Sequence, residues 1–335
     1  MIIKSSGKIV YESDNLHKIF YVKNLLEYSR DYSESVGKNS FWYLDTVNGD
    51  NVNTNLGFNA GHNLTRAVND DGTGGAKLVN TVIPPNRYSF FENLDNKPLP
   101  PMSLTFEITL NNDPEIILSS AGANPGKVVI TKFYLWVPKM IPKDSLYSEF
   151  MRNFLKPTKW TYMRDLYNES SVTQAISIIF QISPAITNVK HVFIYLQREN
   201  GPNDEEDERN PYIYDTWKLN AADARLEYGN SNFTPEHHYT SDSKIRIFND
   251  LMQYSYRKND YNSGTQLNIS NYSSFYGLIY FDLTYQKETV TRDSKMLTLH
   301  YKLNVAPAAG VKCHSIVFYE SEIIVDKIGN KLMTL

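Results

Sequence analysis

The sequence predicts an all-β protein: two consecutive eight-stranded antiparallel jelly-roll sandwiches joined by a short helix. Three observations lead there. The 335 residues carry 24 Tyr, 16 Phe and 33 Asn, which favour strands and turns. Segments of strand length recur in both halves, separated by long loops rather than by the regular helices of a βαβ chain. One helical stretch interrupts this pattern near residue 150. The length suits about two domains, placed at 1–143 for the first jelly roll, with its N-terminal segment, and at 144–335 for the linking helix and the second.

In the first half, Phe41–Leu44 reads as a short strand ending in the Asn- and Gly-rich stretch 45–61. Lys97–Met102, with three prolines, reads as a loop entering a strand. Ser103–Leu110 alternates Leu104, Phe106, Ile108 and Leu110 with polar residues, the period-two pattern of a half-buried strand. Glu115–Leu118 continues it after a turn, and Lys127–Val137 is a longer strand bounded by Gly126 and Pro138. The linking helix is Asp144–Leu155. Asp144 can cap it, Leu146, Phe150 and Phe154 recur at helical spacing, and Pro157 ends it.

The second half resumes the strand pattern at Val172–Ile182, Lys190–Gln197, Gly277–Tyr285, Lys295–Val305 and His314–Val325. A second helix is expected over Lys244–Tyr256, with Ile245, Phe248, Leu251 and Met252 on one face.

Composition excludes several classes of function. With 34 basic against 37 acidic side chains the net charge is −3, without the basic field of a nucleic-acid-coating protein. One cysteine rules out an internal disulfide framework and a cysteine-rich zinc module. No apolar window reaches the roughly 18 residues of a membrane span, and the start, MIIKSSGKIVYES, lacks the apolar run of a secretory signal.

No catalytic, cofactor-binding or metal-ligating constellation is expected. Asp71–Lys77 (DGTGGAK) misses the Walker spacing and reads as a surface loop. His237 and His238, next to Glu236, are adjacent and make a poor chelate. Cys313 and His314, as strand neighbours, face opposite sides and cannot act as nucleophile and base for each other. Asp204–Arg209 reads as a solvated loop tip or a surface knob. The run Tyr254–Lys258 interleaves aromatic and basic residues, but the acidic neighbours Asp250 and Asp260 favour packing over nucleic-acid stacking.

The stretch Asn210–Tyr239 (NPYIYDTWKLNAADARLEYGNSNFTPEHHY) is similar to the double jelly-roll major capsid proteins of Polinton-like viruses, adintoviruses and virophages. The resemblance rests on an N-P-aromatic-x-aromatic-D segment, followed by a strand and turn in which Ala224, Leu226, Glu227, Gly229, Asn230, Phe233, Pro235 and Glu236 match. Tyr254–Thr265, Asn271–Leu283, Ser294–Leu303 and Ser321–Asn330 extend it, so that it covers about residues 155–335. The first half resembles the family more loosely, through FWYLDT, Gly57–Arg66 and Pro100–Leu118. Many of those proteins are considerably longer, which implies short loops or a lack of decorating insertions here.

The resemblance implies a non-enzymatic capsid protein of the virion. It would form homotrimers with a pseudo-hexagonal footprint that tile an icosahedral shell, meeting neighbouring capsomers and penton or minor capsid proteins, without sequence-specific nucleic acid. The residues expected at the trimer or capsomer interface are Tyr212, Tyr214, Trp217, Tyr228 and Phe233, then Tyr254, Tyr256 and Tyr261. For Trp217 and Phe233 a core role is the alternative. The competing functions are a minor capsid or penton-type jelly-roll protein and a carbohydrate-binding β-sandwich, with Asp45–Asn53 as its thin candidate calcium site.

Overall fold

A computed structural model of the chain describes residues 1–40, 42, 80–84, 88–93, 99, 102–110, 129–137, 139, 141, 143–154, 156–172, 175–198, 213–216, 221–229, 231–232, 237–238, 243–258, 264–286, 292–307, 310–326 and 331–334.

The chain opens with a hairpin. Strands β1 (Ile2–Ser5) and β2 (Lys8–Glu12) are joined by Ser6 and Gly7, both at positive φ, as a tight two-residue turn requires. Strand β3 (Leu104–Glu107) adds to the other side of β1, so the small sheet runs β2-β1-β3. Helix α1 (Leu16–Glu27) follows the hairpin, carrying Ile19, Val22, Leu25 and Leu26 on its buried side. A short helix α2 (Arg30–Glu34) starts at Ser29, whose hydroxyl accepts the Tyr32 N–H. The strand-led sequence reading misses these first elements, although the 19-22-25/26 spacing is that of an amphipathic helix.

Two larger antiparallel sheets hold the second half. One runs β4 (Thr158–Ser171), β12 (Val311–Asp326), β6 (Val189–Arg198), β10 (Ile279–Asp282), and β13 (Lys331–Thr334) pairs with the far end of β12. The other runs β5 (Ser177–Ile186), β11 (Lys295–Leu303), β7 (Ala221–Tyr228), with the two-residue strands β8 (Ser231–Asn232) and β9 (His237–His238) beyond β7. Lettering the long strands B to I in chain order, with β9 as F, gives sheets B-I-D-G and C-H-E-F. That crossing order is the jelly roll.

Alternation along β12 divides its neighbours. Cys313 and Val317 face the opposing sheet, while His314 and Phe318 face outward and are covered by α1 and by helix α4 (Ser243–Lys258). One continuous core therefore runs from Ile19, Val22 and Trp42 through Phe193 and Tyr280 to Leu299. Strands β4 and β12 extend past the second sheet. There Trp160, Tyr162, Ile323 and Val325 form a smaller core with Ile3, Val10, Tyr11 and Phe90 from the N-terminal hairpin and the 3-10 turn Ser89–Asn93.

Residues among the first 40, and Trp42, thus share a core with the second half. Nearly half of residues 1–143, including the strand expected at Glu115–Leu118, lies outside the described residues.

Other expectations shift. The strand expected at Val172–Ile182 is present from Ser177 onward as part of β5, and β4, rich in polar residues, carries no strand signal in the sequence. The described part of the expected strand Lys127–Val137 pairs with no described strand and is exposed throughout, Trp136 most of all. The linking helix is present as α3 (Asp144–Phe154). Helix α4 matches the second expected helix, but it buries Ile247, Leu251, Met252, Tyr254 and Ser255, whereas Ile245 faces solvent. Helix α5 (Ile269–Ser274) precedes β10 and is capped reciprocally by Asn268 and Asn271. No helix among the described residues is long and apolar enough to cross a membrane.

Candidate functional site

Of the tyrosines expected at an interface, three are used inside the chain. The Tyr214 ring stacks on Tyr195 at 4.0 Å between centroids, and its backbone N–H donates to Phe275 O (2.8 Å). Tyr228 reaches past β11 within its own sheet to donate its hydroxyl to Ile186 O of β5 (2.7 Å). Tyr254 donates to Glu27 Oε1 (2.6 Å) and packs edge-on against His191 and Phe193. All three are buried, so they offer no area to another subunit. Tyr256 is different. The neighbouring Ser255 turns inward and donates its hydroxyl to Leu26 O, whereas Tyr256 falls on the solvent side of α4 and is 40% exposed. Tyr212, Trp217, Phe233 and Tyr261 lie outside the described residues.

Beside the buried Tyr254 and Ser255, Arg257 is held by Asp282 (2.9 Å) and lies 5.0 Å from the Tyr285 ring centre. The charge is neutralised where it stands.

Polar side chains fasten α1 and the hairpin to the jelly roll. Asp165 of β4 accepts from Tyr11 Oη (2.5 Å) and from the Ser13 hydroxyl. Burial raises its carboxyl above the ordinary range, against the lowering effect of those two bonds. Lys23 of α1 pairs with Glu92 (2.5 Å) and lies 3.7 Å from Glu27. Burial pulls its pKa down, but the two carboxylates outweigh that and hold it above the usual lysine value.

Further along β4, Tyr167 donates to Glu169 Oε2 (2.5 Å), which uses its only proton. Its oxygen therefore accepts from Lys18 Nζ (2.9 Å) and from His314 Nδ1 (2.6 Å), which assigns the proton of the neutral imidazole to Nδ1. Burial, and then the Lys18 charge, push His314 down to about 3 against the pull of Glu169. Glu169 itself falls to about 2. Desolvation opposes that fall, but the bonds from Tyr167 and Lys312 and the lysine charges outweigh it.

Cys313 lies on the other face of β12, 1% exposed, and burial pushes its thiol up to about 12. It and His314 point apart, as strand alternation requires, and a thiol so protonated is a packing group. His237 and His238 pair with Ala224 and Asp223, and no cluster able to hold a metal ion occurs among the described residues. Asp45–Asn53, Asp71–Lys77 and Asp204–Arg209 lie outside them.

Among the described residues, the outer face of the β5-β11-β7 sheet and its edge are accessible. Ile179 on β5 is 71% exposed, with Ile176 and Met296 near half. Across the face, Glu227 and His300 approach to 2.7 Å. A cavity of about 210 Å³ opens between the ends of β4 and β5, lined by Ser171, Val172, Ser177, Ile179 and Cys313 among others. Where β7 leaves this sheet, Gly229 adopts φ +67, and a Cβ there would stand 3.1 Å from Lys295 Cδ. Sequence reasoning does not find this surface, although an uncharged strand such as Ser177–Ile182 is a signal for it.

No protein-family model matches the chain, and no curated protein does. Solved structures similar to it include the Sputnik virophage determined by cryo-EM at 3.5 Å resolution, at 9% identity and a TM-score of 0.36, over 53% of this chain and 39% of that one. The crystal structure of PBCV-1 VP54, fitted into a reconstruction of Sputnik, is similar at 11% identity and a TM-score of 0.33, over 56% and 53%. The mavirus major capsid protein is similar at 11% identity and a TM-score of 0.29, over 52% and 41%. The chain thus spans between about two fifths and half of the chains it matches.

Proposed function

We propose that this chain is a structural subunit of a viral shell, a major capsid protein that works by geometry rather than by chemistry. The observation that carries the reading is the B-I-D-G and C-H-E-F strand order of residues 158–326. The family-like residues are built into it: Ala224, Leu226 and Glu227 on β7, Gly229 in the turn that ends it, and Tyr214 and Asp215 against β6. A fold alone does not carry a function; here the sequence resemblance supplies the second support.

In this reading residues 1–143, with an N-terminal segment that packs on the second half, supply a further jelly roll, and three copies with two barrels each give the pseudo-hexagonal capsomer. Capsomers then meet one another and penton or minor capsid proteins within the virion. Obligate interfaces of this kind bury about 2,000–5,000 Å². Tyr256 supplies part of that area, together with Tyr212, Trp217, Phe233 and Tyr261. A net charge of −3 keeps repulsion between many copies small.

Light scattering on the purified chain at micromolar concentration tests this. The expected mass is that of a trimer, unchanged by moderate salt because the contacts are apolar. A monomer under those conditions overturns the reading.

A further inference from the structure

The edge strands of the described sheets are not alike. β4 carries Lys159, Arg164, Asp165 and Glu169; β2 carries Lys8 and Glu12; β3 carries Glu107; and β10 carries Asp282. Charge on an edge prevents another chain from adding to it. β5 has the sequence SIIFQISPAI, ten residues without a charge, and pairs among the described strands only with β11.

Its open side also has a defined polarity. Leu303 N–H donates to Ile176 O (2.8 Å), and the β5–β11 register continues from there as Ser177 opposite Lys302 and Ile179 opposite His300. In an antiparallel ladder alternate residues bond to the partner. Ile178 and Phe180 therefore bond towards β11, and the peptide groups of Ser177, Ile179 and Gln181 point away from the sheet. The side chains of those same three residues are exposed. Asn168 of β4 marks the far end of this stretch, donating its amide to Ile182 O (2.9 Å) and, at 3.5 Å, to Gln181 O.

We propose that β5 is a self-pairing edge: a second copy of the chain adds its own β5 antiparallel, across a two-fold axis through Ile179. The strand is self-complementary about that point. Ile179 meets its own counterpart, Ser177 meets Gln181 as a hydroxyl–amide pair, and the inward Ile178 meets Phe180. An isologous contact needs such a palindrome of properties. A neutral rim also suits a neutral copy of itself better than a polyanion or a charged lipid surface. The pairing rests on the shell-subunit reading, in which it joins one trimer to the next.

Two double variants of the full chain test it, because the pairing sets residue 177 against residue 181 of the other copy. Ser177→Lys with Gln181→Lys places ammonium groups opposite one another; Ser177→Lys with Gln181→Glu places each lysine opposite a glutamate. All four side chains project from exposed positions, so circular dichroism and thermal unfolding should match the wild type. Sedimentation at low salt should show wild type associating beyond the trimer, the Lys/Lys variant stopping at the trimer with association weaker by about tenfold or more, and the Lys/Glu variant recovering. Three results overturn the pairing alone: Lys/Lys associating like wild type, both variants failing equally, or wild type itself stopping at the trimer. A monomeric wild type overturns the shell reading as well.

Discussion

β4 and β5 follow one another in the chain and stand side by side at the open edge of the sandwich, yet they meet solvent in opposite ways. β4 is polar by sequence, but its outward residues Asp165, Tyr167 and Glu169 are taken up by Tyr11, Ser13 and Lys18 of the N-terminal segment. β5 is apolar by sequence, but its outward residues Ser177, Ile179 and Gln181 stand in solvent. Polarity in a strand therefore does not measure its exposure. A polar strand can be covered when distant groups satisfy it, and an apolar one can be left open for a partner.

The largest test removes the cover from β4. A chain lacking residues 1–28 loses α1, the hairpin and their share of both cores, and should show no cooperative thermal transition where the full chain does. A cooperative transition near that of the full chain would mean that the strap is decoration.

Adjacent positions on β5 should differ sharply. Phe180→Ala empties a buried site and should cost about 3–5 kcal/mol. Ile179→Ser should stay within about 0.5 kcal/mol for the unassembled chain, since the side chain already faces water. Urea unfolding of the two variants measures the contrast, and comparable losses would place Ile179 in a core.

Acid should loosen β4. His314 is held neutral, with a pKa of about 3, whereas in the unfolded chain it takes up a proton near 6.5. The unfolded state therefore binds more protons between those values, and stability falls as pH is lowered through that window, by up to about 1.4 kcal/mol per pH unit from this group. Glu169, depressed from 4.5 to about 2, adds to the loss below pH 4.5. Asp165, raised by burial, works in the opposite direction, because its folded form takes up a proton first. Denaturant titrations from pH 7 to 4 should show His314→Gln with a flatter profile than wild type, and equal slopes would contradict the assignment.

A modest loss is expected at the end of β7. Gly229→Ala forces a side chain into the left-handed region against Lys295 and should cost about 1 kcal/mol, read as a small drop in Tm.

The same contrast explains how much can be read in advance. β6, β11 and β12 are legible because both of their faces, or one in strict alternation, are apolar. β4 is not, since its burial depends on partners about 150 residues away. Helix α1 is written in the spacing of Ile19, Val22, Leu25 and Leu26, but a composition that favours strands draws attention away from it. The interface tyrosines are the least legible. A tyrosine count does not separate Tyr228, whose hydroxyl finds a carbonyl inside the sandwich, from Tyr256, which stays on the surface.

Electron microscopy of the purified protein decides whether this chain builds a shell. Three-fold particles with a pseudo-hexagonal outline, alone or joined into curved sheets, are expected. A field of dispersed single chains would contradict the shell reading.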